Sequence, residues 1–215
     1  MHSKNLINHV TKFSFLVFLL FNCSINLLPS MNSESILLSE LQNGDFSVTV
    51  KYILKGRIFK PLEISFPEPF EYTLTNFRRN WNQENLEVIK IMAPKDQSFY
   101  IQNQPYFAKH KSTLPITINE YSTLIDSYIF SPKKYTPLSK EFGSKGRYIE
   151  YILVTGALWS DKIEKIYFNL ELINPNCSKI QIMSDSYFGS CDTEWRWSTQ
   201  LFNIKPNKNI RLIIK

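Results

Sequence analysis

From residue 46 onward, apolar and polar side chains alternate with a period of two far more often than with the helical period. Val48, Val50, Tyr52 and Leu54 alternate with Thr49, Lys51 and Ile53, which describes a strand with one buried face. Leu62-Ile64-Phe66, Phe70-Tyr72-Leu74, Leu86 to Met92, Tyr148 to Val154, Ile166-Phe168-Leu170-Leu172, Lys179 to Met183, Trp195-Trp197-Thr199-Leu201 and Asn209 to Ile214 repeat the pattern. Turn chemistry punctuates these runs at Asn43-Gly44-Asp45, Lys55-Gly56, Pro67 to Pro69, Pro94-Lys95-Asp96, Asn174-Pro175-Asn176 and Lys205-Pro206-Asn207. Many short runs with frequent turns predict an all-β chain, an antiparallel β-sandwich or barrel-like sandwich with little helix beyond the N-terminal segment.

Two stretches fit this scheme less well. Ser33 to Leu41 (SESILLSEL) places Ile36, Leu37 and Leu41 on roughly one side of a two-turn helix, and reads equally as an edge strand before the first hairpin. Gln97 to Lys145 carries Pro105, Pro115, Pro132 and Pro137 without a sustained period, which predicts long excursions between strands. No internal repeat or linker-like change of composition interrupts residues 31–215, so they are read as one β domain.

The start of the chain is different in kind. Lys4 and Lys12 lead into the apolar run Phe13 to Phe21, and Asn22-Cys23-Ser24 follows at once. A charged lead, a short apolar run and a small-residue exit describe a secretory signal. A Cys at the exit makes residues 1–22 a lipoprotein-type signal, Cys23 the lipidated residue and 23–30 a short tether. Cleavage near Ser24 or Ser30, or a retained anchor, are the alternatives; the run falls short of the roughly 20 apolar residues a spanning helix needs. The address that follows is the bacterial cell envelope, lipid-anchored and periplasmic or surface-facing. The signal holds two of the 25 basic residues and none of the 19 acidic ones, which leaves a net charge of +4. Those basic residues are scattered and no nucleic-acid module accompanies them, so no nucleic-acid partner is expected.

Candidate chemistry is sparse. The chain lacks a nucleophile elbow, a zinc-protease helix, a phosphate-binding loop and a dinucleotide fingerprint, and nothing in it asks for a cofactor. After the signal, His110 is the sole imidazole; set between Lys109 and Lys111, it is expected at the solvent surface. With Cys23 acylated, Cys177 and Cys191 remain as an even pair 14 residues apart, read as a disulfide in an oxidising compartment or as two partly buried free thiols. Two cysteines and one histidine fall short of a zinc set, so no metal is expected. Glu63, Glu68 and Glu71 are read as solvated strand and turn faces, although Glu63, Glu68 or Asp161 could serve a carboxylate-dependent hydrolase if two of them met across a cleft. Trp195 and Trp197 stand two positions apart on one strand face, a core face or a stacking platform for a sugar or peptide.

Several blocks occur in an order that resembles a known family. Tyr151 to Trp159 (YILVTGALW) is similar to the Y-I-L-x-T-G-x-x-W block of a bacterial exported-protein family, domain of unknown function 4424. Met31 to Ser39 resembles that family's opening segment, Ser47 to Leu54 with Phe66-Pro67-Glu68-Pro69 its strand and turn, and Ile163 to Leu172, Ser190-Cys191 and Phe202 to Leu212 its later strands. Cys191 then corresponds to a lone family cysteine, with no counterpart for Cys177. The resemblance implies an exported, mostly β protein and brings no catalytic residue with it. Gly156 suits a strand end that needs positive φ or close approach, and Trp159 would pack over the sheet, so the Gly156–Trp159 corner joins Trp195 and Trp197 as a candidate binding surface. The expectation overall is a non-enzymatic envelope lipoprotein whose β-sandwich binds a protein or glycan partner.

Overall fold

A computed structural model describes residues 29–69, 74–94, 98–101, 104–132, 147–153, 162–174, 177, 180–182, 188–206 and 209–214. Cys23, Gly156, Trp159 and Asp161 lie outside these residues. The chain is almost entirely strand: β1 (Ser30–Glu40), β2 (Phe46–Lys55), β3 (Leu62–Pro69), β4 (Leu74–Trp81), β5 (Glu84–Leu86), β6 (Ile89–Met92), β7 (Phe99–Ile101), β8 (Gln104–Leu114), β9 (Tyr121–Phe130), β10 (Arg147–Tyr151), β11 (Ile163–Glu171), β12 (Ile180–Ile182), β13 (Ser190–Cys191), β14 (Arg196–Ile204) and β15 (Ile210–Ile214). Eight of them form one large sheet in the order β13-β14-β11-β1-β2-β9-β4-β5, with β1 and β11 parallel and the other neighbours antiparallel. Strands β3, β8, β6 and β7 make a second sheet, and β10, β15 and β12 a third. Buried side chains from all three join in one apolar core, including Ile36, Val50, Phe168, Phe66, Leu114, Ile149 and Leu212. The fold is therefore sandwich-like and all-β, with one parallel pair where an antiparallel sheet was expected.

Several local expectations need correction. Ser33 to Leu41 is neither helix nor edge: β1 pairs with β2 on one side and β11 on the other. Its alternate residues Glu34, Ile36 and Leu38 are buried, which is the period of a strand. Leu86 to Met92 is split between β5 and β6, and the stretch read as excursions contains the long strands β8 and β9. Phe66-Pro67-Glu68-Pro69 is strand, not turn. β3 is the edge of its sheet, where a proline's missing N–H costs no ladder bond.

One irregularity reorganises the inner face. Between Thr75 and Arg78 the β4–β9 register slips by one residue, and Asn76 takes the left-handed conformation at φ 55°. A single extra residue exchanges the two faces of a strand. Leu74 faces inward before the slip; Arg79 and Trp81 face inward after it.

The registers of β1, β2 and β9 fix two ends to the large sheet. Ser30, Lys55 and Tyr121 stand together at one end, and Glu40, Phe46 and Phe130 at the other. Eleven residues of β1 separate them by about 35 Å. Because Leu38 is fully buried while its neighbour Leu37 is 37% exposed, Leu38→Ala is expected to cost about 3 kcal/mol in a urea titration and Leu37→Ala under about 1 kcal/mol. Equal losses would contradict the strand parity.

Candidate functional site

Polar side chains are concentrated where the second sheet packs on β4 and β9. Alternation along β8 turns Lys109 and Lys111 toward solvent and His110 inward, where it is 4% exposed rather than at the surface as its lysine neighbours suggested. Glu68 on β3, read as solvated, is likewise fully buried. Its carboxylate accepts from the Leu74 N–H at 3.1 Å and from His110 Nε2 at 2.7 Å, and both its oxygens lie 2.9 Å from Lys90 Nζ on β6. Since the carboxylate can only accept, the proton of neutral His110 sits on Nε2. The imidazole stacks on Phe77 at 4.2 Å with an interplanar angle of 10°, and Phe77 stacks in turn on Tyr128.

The bulge also brings Arg79 opposite Asp126, and the two form a buried bidentate pair with N–H···O distances of 2.6 and 2.7 Å. Arg79 Nη1 has no hydrogen-bond partner among the described residues. Burial raises the Asp126 carboxyl above its ordinary range, with Arg79 pulling it back down. Burial likewise holds His110 below the usual imidazole range, Lys90 and Arg79 adding to this while Glu68 opposes it. A third group, Glu34 on β1, accepts from the Tyr151 hydroxyl at 2.7 Å. Burial pushes its carboxyl up to about 7, the Tyr151 bond opposing and Asp126 reinforcing the rise.

Burial thus shifts the titration of Glu34, Asp126 and His110. A cavity bounded by Leu38, Phe66, Tyr128, Phe130 and Tyr151 measures about 20 Å³, room for one water. Glu63 and Glu68 do not meet. Glu63 and Glu68 fall on opposite faces of β3, Glu63 exposed and paired with Lys111. No group of three or more metal-ligating side chains occurs among the described residues. The cluster is best described as an interior polar seam between two sheets. Its sequence signal was the alternation of Ala108-Lys109-His110-Lys111-Ser112, which places His110 with Ala108 on the inner face.

The surface offers a different site. Trp195 and Trp197 do not share a face: Trp197 begins the inward run of β14, is 3% exposed and lies edge-on to Phe168, so it is no binding surface. Trp195 precedes the strand and is 48% exposed. Its loop is tightly held. Cys177 and Cys191 are bridged with their Cα atoms 5.8 Å apart, and the Cys177 N–H donates to Glu194 O at 3.0 Å. The Leu172 N–H donates to Trp195 O at 2.8 Å, and the Trp195 N–H to Thr193 Oγ1 at 3.2 Å. Arg196, paired with Glu171 at 2.5 Å, places this loop at the Glu40–Phe130 end of the sheet.

No known protein family matches the chain, and no curated protein does. Among solved structures it is similar in fold to a candidate nutrient-binding protein of Legionella pneumophila, with a TM-score of 0.60 and 17% identity over 86% of this chain. It spans 66% of the length of that protein. Weaker likenesses, with TM-scores of 0.43 and 0.49 and 12% identity, relate it to an M1 zinc metallopeptidase of Deinococcus radiodurans and to the leukotriene A4 hydrolase of Saccharomyces cerevisiae; it spans 42% and 28% of them. The first likeness is one of fold, and the weaker two carry no argument.

Two outcomes test the energetics. With its folded value near 7 against an ordinary 4.5, Glu34 contributes stability below pH 4.5 that is lost as pH rises through 7, about 3 kcal/mol in all. Glu34→Gln should therefore gain on the wild type in urea midpoint from pH 5 to pH 8; parallel pH profiles would refute the assignment. Removing the bridge with Cys177→Ser/Cys191→Ser should cost about 3 kcal/mol, read by thermal unfolding under oxidising conditions.

Proposed function

We propose that this chain is an exported, lipid-anchored β-sandwich that acts as a binding module in a bacterial envelope, with Cys23 as the attachment point and the Trp195 end turned toward a protein or glycan partner. The observation that carries the binding role is Trp195 itself: a large aromatic side chain left half-exposed on a loop that a disulfide and three backbone-anchored hydrogen bonds hold still. Rigid exposed aromatics bind with little loss of conformational freedom and are the commonest anchors of interfaces. Asp45, Asp192 and Glu194 are exposed or partly exposed around that end, which suits a partner with hydroxyl, amide or cationic groups. Support for export comes from the Cys177–Cys191 bridge, of a kind that persists in oxidising compartments, and from the leader ending at Cys23. The nutrient-binding description of the Legionella protein, similar in fold, agrees with binding.

The anchor is tested by detergent-phase partitioning with mass spectrometry of the N-terminus. The wild type should enter the detergent phase carrying acyl mass at Cys23, and Cys23→Ala should stay in the aqueous phase; an unmodified, water-soluble mature chain would overturn the anchor. For the binding end, Trp195→Ala should weaken co-sedimentation with purified peptidoglycan by about tenfold or more at an unchanged denaturation midpoint. Undiminished co-sedimentation would remove Trp195 from the site.

A further inference from the structure

The end of the sheet opposite Trp195 exposes apolar side chains that the core does not use. Loops 56–61 and 115–120 meet there through the antiparallel pair Ile58–Thr117, with both backbone hydrogen bonds at 2.9 Å. Ile58 points inward and is 4% exposed. In the register this pair sets, Phe59 stands opposite Ile116 and Arg57 opposite Ile118, all four on the outward side. Phe59 is 71% exposed, Ile116 59% and Ile118 76%; Tyr121, at the adjoining end of β9, is 49% exposed. Single exposed apolar residues are ordinary, but four gathered on one tip mark a contact surface.

Charge and chain path identify the contact. Arg57 and Lys60 are exposed within the first loop, and Lys55 beside it lies 5.9 Å above the Tyr121 ring; the only acid in the two loops is Glu120. Apolar and aromatic tips ringed by basic side chains suit the boundary between headgroups and acyl chains of an anionic bilayer. The N-terminal side of the domain starts at this same tip. Ser30 is the register partner of Lys55, and Pro29 packs so closely on Gly56, whose φ is 122°, that a Cβ there would come within 3.3 Å of it. Six residues lead from Cys23 to Pro29, a reach of at most about 20 Å.

We infer that the Phe59–Ile116–Ile118–Tyr121 tip docks on the anionic lipid surface, so that the domain stands upright with Trp195 facing away. The inference rests on the anchor at Cys23 for the short reach that holds the tip to the bilayer, while the side chains that make the contact are the domain's own. A lipid anchor alone would leave the domain free to tumble; the tip gives it an orientation.

The test uses the full chain carrying Ile118→Trp, bound to phosphatidylglycerol–phosphatidylcholine vesicles with and without brominated acyl chains. The emission that the substitution adds over wild type should shift to the blue and lose most of its intensity on the brominated vesicles. Phe59→Ser/Ile118→Ser, which changes only exposed side chains, should lower binding of the unlipidated Cys23→Ser chain by about tenfold or more. Full added emission on vesicle-bound protein would overturn the docking. So would a dimer that forms without vesicles and is dissolved by Ile118→Ser, since the tip would then belong to a second copy. Mass spectrometry of Cys23 separates the two readings: lipid at Cys23 without quenching leaves the anchor standing and the docking refuted, and quenching with an unmodified Cys23 does the reverse.

Discussion

Everything in the large sheet is held together through β1. Its β2 ladder carries β9, β4 and β5, its parallel ladder to β11 carries β14 and β13, and no other hydrogen-bonded pairing joins these halves among the described residues. On the inner face of that strand, Ile36 and Leu38 supply apolar contact to both halves, but Glu34 supplies a carboxyl. Burying an isolated charge is prohibitive, and the group responds by holding its proton to about pH 7 and accepting from Tyr151 of the third sheet. One acid thus ties the seam of the first sheet to the third.

A similar logic governs the second sheet. Glu68, His110 and Lys90 arise on three of its strands and satisfy one another, and Phe77 covers His110 from the opposite layer. Across that layer Arg79 and Asp126 close their own pair. Buried ion pairs add little net stability beside apolar residues of the same volume, yet breaking one is costly. Their effect here is on choice of arrangement: sliding β4 by one residue would turn Arg79 outward and leave Asp126 with a buried charge and no partner. The Arg79–Asp126 pair therefore favours the bulged register over the regular one.

This explains which parts of the fold could be read in advance. β2, β11 and β14 have one buried face, and their alternation shows directly in Val48-Val50-Tyr52 and Ile166-Phe168-Leu170. The turn at Asn43-Gly44-Asp45 was equally legible, since Gly44 takes φ 84° there. β4 was not, because the Asn76 slip breaks parity in mid-strand and no local pattern announces it. β1 was obscured by Glu34, a polar residue at a core position, and β3 by prolines that only an edge strand tolerates. His110 was hidden by its lysine neighbours, although their alternation held the answer. Trp195 and Trp197, identical in type and two residues apart, parted because β14 begins between them.

The margins of the sheets have a consequence of their own. The large sheet ends in β13, two residues long, and β5, three residues long, while the second sheet is bordered by β3, with Pro67 and Pro69, and by the four-residue β6. Along these two margins, among the described residues, a neighbouring chain seeking a strand to pair with meets short strands or proline-interrupted edges. At the borders of these two sheets the hydrogen-bond ladder is cut short, which works against edge-to-edge association whatever the charge on the faces.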